Sequence, residues 1–204
     1  MLIDLTTLKP AEAYFIMTQS VIPRPIAWVL SENEGGDYNL APFSYFNAVA
    51  SDPPTIVFSV GLQDDGGPKD TTINIRERPE FTVNIASVSQ LPVLNQTSAT
   101  LPYGNSEVAA NNVDLASVEG FSVPRVADSK IVLMCERYHI QQIGNRDQML
   151  IFGEIRSVFV ADDCVEINEK GRIKIHAHKV QPLARLGAGE YADFGEVLSA
   201  KRPA

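Results

Sequence analysis

The clearest strand signal along the chain is the apolar-rich segment from Ile131 to Ile140. Ile131, Leu133, Cys135, Arg137 and His139 fall on one face of an extended chain, and Val132, Met134, Glu136, Tyr138 and Ile140 on the other. Gly144 and Asn145 interrupt the pattern and Met149 to Val160 resumes it, so Lys130 to Val160 predicts a long antiparallel hairpin. From Pro25 to Ser31 the chain is apolar almost without a break, which predicts a buried strand, followed by a turn at Glu32 to Asp37 and a returning arm at Tyr38 to Val49. Thr55 to Val60 and Phe81 to Ala86 predict two more strands.

Helical spacing is weaker. It runs from Leu8 to Met17, where Pro10 suits a first turn, from Lys69 until Pro79 ends it, and modestly over Ser87 to Thr100. Leu101 to Pro124 carries the breakers Gly104, Asn105, Gly120 and Pro124 and predicts loops, of the kind that bind ligands or partners. Six or so strands joined mostly by short turns predict a mainly β fold, a closed or nearly closed antiparallel barrel with a few peripheral helices. No linker or internal repeat divides residues 1 to 204, which predicts a single domain.

Composition narrows the function. With 204 residues and 45% hydrophobic side chains the chain can bury a sizeable core. Seventeen Lys and Arg against 25 Asp and Glu give a net charge of −8, which argues against a nucleic-acid partner and favours a small ligand held by a local positive site. No apolar run approaches the roughly eighteen residues of a membrane span, and the first thirty residues, with Asp4, Lys9 and Glu12, lack a secretory pattern; a cytoplasmic protein is expected. Cys135 and Cys164 stand too far apart in sequence for a CxxC pair, which predicts plain buried thiols.

Motifs for serine hydrolases, phosphate-loop enzymes, zinc peptidases and dinucleotide-binding folds are all missing. What remains is a set of smaller signals. Lys69-Asp70-Thr71-Thr72 at a helix start offers an anion unpaired N–H groups, a charge and two hydroxyls, with Asp70 placed to cap the helix or orient Lys69. An ordinary capped helix with a solvated lysine has the same sequence. Pro23-Arg24-Pro25 restricts the backbone around Arg24, which suits either a fixed guanidinium for phosphate or carboxylate recognition or an edge-strand device. Asn39 to Asn47, with Phe43, Ser44, Tyr45 and Phe46, mixes aromatic and small polar groups that would line a flat heteroaromatic ligand or fill a core, and Ser59 is a weaker candidate of the same kind. His176 and His178 would share one strand face but lack acidic or thiol partners at ligand spacing, so no metal is expected. His139, beside Cys135, predicts a satisfied core or interface histidine.

Together, Pro23-Arg24-Pro25-Ile26-Ala27-Trp28, Asn39-Leu40-Ala41-Pro42-Phe43-Ser44-Tyr45-Phe46, Asp52-Pro53-Pro54, Lys69-Asp70-Thr71, Glu80-Phe81-Thr82-Val83-Asn84 and Arg185-Leu186-Gly187-Ala188-Gly189-Glu190-Tyr191 resemble the flavin reductase-like family over about residues 10 to 192. The resemblance implies an FMN-binding split barrel that works as a homodimer with flavin at the subunit interface. It implies that Lys69, Thr71 and Thr72 hold the FMN phosphate with help from Arg24, that Phe43, Ser44, Tyr45 and Phe46 line the ring or ribityl chain, and that Ser59, Asn39, His178 and Tyr191 lie nearby. NADH or NADPH would be the co-substrate, and the flavin would carry the electrons, so no catalytic acid or base is expected from the protein. Two alternatives are an FMN-binding electron carrier or delivery module reduced by a partner protein, and a barrel that binds another phosphorylated aromatic ligand.

Overall fold

The computed structural model describes residues 1–201 and 203. In chain order its first half contains α1 (Pro10–Ser20), β1 (Arg24–Pro25), β2 (Ala27–Glu32), β3 (Tyr38–Phe43), β4 (Phe46–Ser51), β5 (Pro54–Val60), α2 (Asp70–Glu77) and β6 (Glu80–Ile85). The second half contains α3 (Leu91–Gln96), α4 (Glu107–Ala110), β7 (Leu115–Val118), β8 (Phe121–Val126), β9 (Ile131–Ile143), β10 (Gln148–Val160), β11 (Val165–Ile167), β12 (Ile173–Ile175), α5 (Ala177–Val180), β13 (Ala184–Arg185) and β14 (Tyr191–Ala192).

Strands with one apolar face each can leave water together if their sheet curls until the faces meet. Seven strands do so in the antiparallel order β3-β2-β6-β9-β10-β5-β4. Ala27 and Val29, Phe43, Ile56, Phe58 and Val60, Phe81 and Val83, Cys135 and Ile151 meet in one core, which Ile75 of α2 completes. Phe43 and Phe58, from strands near opposite ends of the sheet, lie with ring centroids 5.6 Å apart. The barrel is therefore closed by side chains but open in its hydrogen-bond ladder. The fold is mainly β, a split barrel with peripheral helices.

The split corrects the expected single arm Tyr38–Val49. β3 pairs with β2 and β4 with β5, so Ser44 and Tyr45 carry the chain across the barrel from one sheet edge to the other. The crossing is pinned by Ser59 N, which donates to Tyr45 O at 2.9 Å.

A second core lies outside the barrel wall, where Ile26, Trp28, Leu30 and Leu40 pack with Leu94, Val123, Val126 and Leu183. β2 is covered on both faces, which is why its sequence is an apolar run rather than an alternation. Much of the region expected to be loop, Leu101 to Pro124, builds this cover: it holds α4 and the start of a β7–β8 hairpin whose Val123 and Val126 are buried. Ser87 to Thr100 is helical only over a 3₁₀ turn at Val88–Gln90 and over α3.

The core placement of His139 and the shared strand face of His176 and His178 are also corrected. Registers Arg137 with Gly153 and His139 with Phe152 leave Tyr138 unpaired, a bulge that exchanges the two faces of β9. Ile140 packs on the core instead, and His139 is exposed beside Phe152. β12 ends at Ile175, so His176 caps α5 and His178 lies within it; the two do not share a strand face.

Candidate functional site

α2 begins at the wall of a cleft of about 660 Å³ open space, lined from one side by Asn39, Ala41, Pro42 and Phe43 of β3 and by Lys69, Asp70 and Thr71. Its far side is Thr97 to Leu101, with Gln63 and Glu107 at the ends. Lys69 is the N-cap by backbone, and no side chain caps the helix. A lysine has no side-chain acceptor to offer the first turn; Thr72 N donates to Lys69 O at 2.8 Å, and the Asp70 and Thr71 N–H groups stay without a partner among the described residues, beside the half-buried Lys69. This is an arrangement that attracts an anion.

The hydroxyls behind it are held by a buried amide network. Asn39 Nδ2 donates to Thr71 Oγ1 at 2.9 Å and lies 3.3 Å from Ser31 Oγ; Asn74 Nδ2 donates to Asn33 Oδ1 at 2.8 Å. Arg78 closes the chain by donating to Asn74 Oδ1 at 3.1 Å and to Glu32 O at 2.8 Å. Thr71, Asn74, Asn39 and Ser31 are all buried, and the network supplies them mutual partners; Thr72, expected at the phosphate, is buried too but belongs neither to the network nor to the cleft lining. It locks the β2–β3 hairpin to the first turns of α2 and sets where Thr71 can point.

Glu107 is a cleft residue that no motif announced. It is 7% exposed and its Oε2 accepts from Leu40 N at 3.0 Å, on the free side of β3. Burial pushes its carboxyl above the usual carboxylate range against the pull of the Leu40 and Glu107 N–H groups, and Asp70 and Asp37 push the same way. The legible signal was Ser106, which caps α4 by accepting from Ala109 N at 3.2 Å; what Glu107 meets is set by the packing of α4 on β3. Gln63, Thr97, Ser98 and Thr100 were likewise not anticipated, whereas Leu101 opens the segment expected to hold binding loops.

The aromatic crossing has a different character. Phe43 reaches the cleft, Phe46 packs on the barrel core, and the Tyr45 ring lies 6.3 Å from that of Tyr14 in α1. Tyr45 Oη is buried without a hydrogen-bond partner among the described residues, and burial, then Tyr14, raise its pKa while Arg24 opposes them. Ser59 Oγ accepts from Gln148 Nε2 at 2.7 Å.

Arg24, expected beside a phosphate, is 5% exposed and is held by carbonyls: NH1 donates to Thr18 O and, at 2.6 Å, to Val21 O, and NH2 donates to Leu186 O at 2.7 Å. Nε lies 3.3 Å from Ser44 Oγ. The arginine thus ties the end of α1, the crossing and the β13 segment together. Gly187 permits this approach, because a Cβ there would stand 2.1 Å from Gln19 Cγ. Tyr191, under the Arg185 guanidinium at 4.4 Å, and His178, beside Gln181 and Asp193, are not brought to the cleft of their own chain. Among the described residues no cluster of His, Cys, Asp and Glu is arranged to hold a metal, and no helix is long and apolar enough to cross a membrane.

The flavin reductase like domain family matches residues 18–173 of the chain. Nitrilotriacetate monooxygenase component B from Bacillus cereus superposes with a TM-score of 0.88 at 34% identity, covering 98% of this chain and 98% of that one. The 2-nitrobenzoate 2-nitroreductase of Pseudomonas fluorescens does so with a TM-score of 0.87 at 32% identity, covering 100% and 96%. A split-barrel-domain protein from Shewanella frigidimarina shares the fold at a TM-score of 0.81 and 19% identity, covering 98% and 96%.

Proposed function

The chain belongs to the flavin reductase-like family, and from that membership we propose that it is an FMN-dependent oxidoreductase, reduced by NADH or NADPH and active as a homodimer. The observation that carries the proposal is the uncapped start of α2, with Lys69 and the network-held Thr71 facing a cleft walled by Pro42 and Phe43. The residues fit a flavin mononucleotide: first-turn N–H groups, an ammonium and a hydroxyl for the phosphate, polar groups along the cleft for the ribityl hydroxyls, and an aromatic crossing for the ring.

When bound, a flavin would supply two-electron redox chemistry between a reduced nicotinamide and an acceptor, such as the oxygenase or nitroaromatic partners that the names of the two similar proteins suggest. The protein's own residues bind and orient. Lys69 and the α2 N–H groups neutralise the phosphate, Thr71 fixes its direction, and Phe43 with Pro42 exclude water from one side of the cleft. No side chain needs to move a proton for this chemistry.

The test is the visible spectrum of the purified protein, with the released chromophore identified by mass, followed by NADH and NADPH oxidation with an added acceptor. Released FMN and turnover support the proposal. A flavin-loaded protein that neither nicotinamide reduces, but that a redox protein reduces rapidly, would make it an electron carrier instead. A colourless protein that takes up no FMN would overturn the cofactor itself.

A further inference from the structure

We infer that Asp70 is a latch rather than a ligand: its carboxylate ties together the two loops that flank the cleft and thereby sets how fast the flavin enters and leaves. The inference rests on the proposal that the cleft holds the flavin phosphate.

Asp70 is the first residue of α2 and 9% exposed, yet it neither caps the helix nor turns towards Lys69. Its two oxygens diverge. Oδ2 accepts from Gly104 N at 2.9 Å, on the loop after α3, and Oδ1 lies 3.3 Å from Gln63 Nε2, on the loop after β5. A nearly buried carboxylate beside an anion site is electrostatically unfavourable for the ligand, so its position has to be explained by what it holds.

The two loops differ in how much else holds them. Residues 62–68 form a closed turn: Gln63 N donates to Gly67 O at 2.8 Å, Gly66 N to Gln63 O at 3.0 Å, and Leu62 bridges Pro68. The other loop is anchored at its start, where Trp28 Nε1 donates to Thr97 Oγ1 at 2.9 Å, and past its end, where Ser106 Oγ donates to Tyr38 O at 2.6 Å. Between them, among the described residues, the bond from Gly104 N to Asp70 is the one hydrogen bond that ties residues 100–105 to the rest of the chain. Gly104 adopts φ +75°, a conformation glycine reaches without strain, which turns its N–H towards the carboxylate. Thr100 and Leu101, which line the cleft, therefore move with this latch. A closed latch walls the ligand in on that side, and an open one leaves residues 100–105 free of the α2 wall.

A latch and a ligand have different kinetic signatures. Removing a ligand raises the dissociation rate alone. Removing a latch raises association and dissociation together and leaves Kd nearly unchanged. The experiment is stopped-flow FMN binding to the full chain with Asp70→Ala, Asp70→Asn and Gln63→Leu, with Lys69→Ala and Thr71→Ala as references. Amide hydrogen exchange of residues 100–105 is followed without flavin. Asp70→Ala, which also removes a negative charge beside the phosphate, is expected to raise both rates at least fivefold with Kd unchanged or lowered, and to speed exchange at residues 100–105 but not in β9 and β10. Asp70→Asn, which keeps an acceptor for Gly104 N, and Gln63→Leu should fall between it and the unaltered protein. They carry the test if Asp70→Ala does not fold. Unchanged exchange at residues 100–105, or a Kd loss through dissociation alone, would overturn the latch while leaving the phosphate site intact. If Lys69→Ala leaves Kd unchanged, the phosphate site itself is misplaced, and the exchange data then decide the latch by themselves.

Discussion

At one edge of the seven-stranded sheet, β3 presents Leu40 N–H to the buried Glu107 carboxylate and Tyr38 O to the Ser106 hydroxyl, so α4 stands where another strand would pair. At the other edge, β4 is exposed from Asn47 to Ser51, with Val49 51% accessible. Both edges end an antiparallel ladder with unpaired backbone groups. One is covered by the chain's own helix, beside a polar cleft; the other is left to solvent or to a second copy. The chain thus closes the edge next to the polar cleft, where a passing strand would block it, and leaves open the edge that borders the aromatic crossing.

The covered edge should be the more costly to break. Glu107→Ala leaves Leu40 N–H buried without an acceptor, and a loss of about 2 kcal/mol in urea unfolding is expected; a change below about 0.5 kcal/mol would mean that water replaces the carboxylate freely. Glu107→Gln keeps the acceptor and should lose less. It also isolates the titration. Because burial raises the Glu107 pKa, the native state keeps its proton to higher pH than the unfolded chain. Its contribution is full below the ordinary value of 4.5 and is lost as pH rises through the folded value, so the unaltered protein should lose stability relative to Glu107→Gln over that interval. Urea midpoints of both proteins across pH check the sign.

In the cleft beside that edge, Lys69→Ala should weaken FMN binding about tenfold, the worth of a charge-assisted hydrogen bond, as read by fluorescence titration. The open edge gives a smaller effect. Val49→Lys places a charge on β4 and should weaken the proposed homodimer severalfold in light scattering while leaving the urea midpoint of the monomer unchanged. An unaffected dimer would place its interface elsewhere. Smallest of all, Cys135, fully buried with its thiol pushed far above its usual range by desolvation, should not react with a thiol reagent until the barrel unfolds.

The strands of the barrel were legible where both faces are dry and the chain is an apolar run, as in β2 and in β9 up to Cys135. The bulge at Tyr138 was not, because a bulge shifts register without changing composition, and His139 was assigned to the wrong face in consequence. Gly153 marks the same neighbourhood: a Cβ there would meet the Phe81 ring at 2.5 Å, a contact between strands far apart in sequence. Lys69, Thr71, Asn39 and Phe43 were legible as cleft residues because helix starts and aromatic runs are local signals. Arg24 was legible as fixed, but not what fixes it, since Leu186 lies 162 residues away.

The sequence by itself determined which segments are extended, where the chain turns, and that a helix starts at Lys69-Asp70, because periodicity, proline and glycine geometry and helix capping act within a few residues. Tertiary structure decided what those segments meet. The closing of the barrel placed Phe43 against Phe58, α4 brought Glu107 to Leu40, and Asp70 was drawn away from the helix end to hold Gly104 and Gln63. Burial leaves a polar atom only the partners that packing delivers, and packing depends on the whole chain.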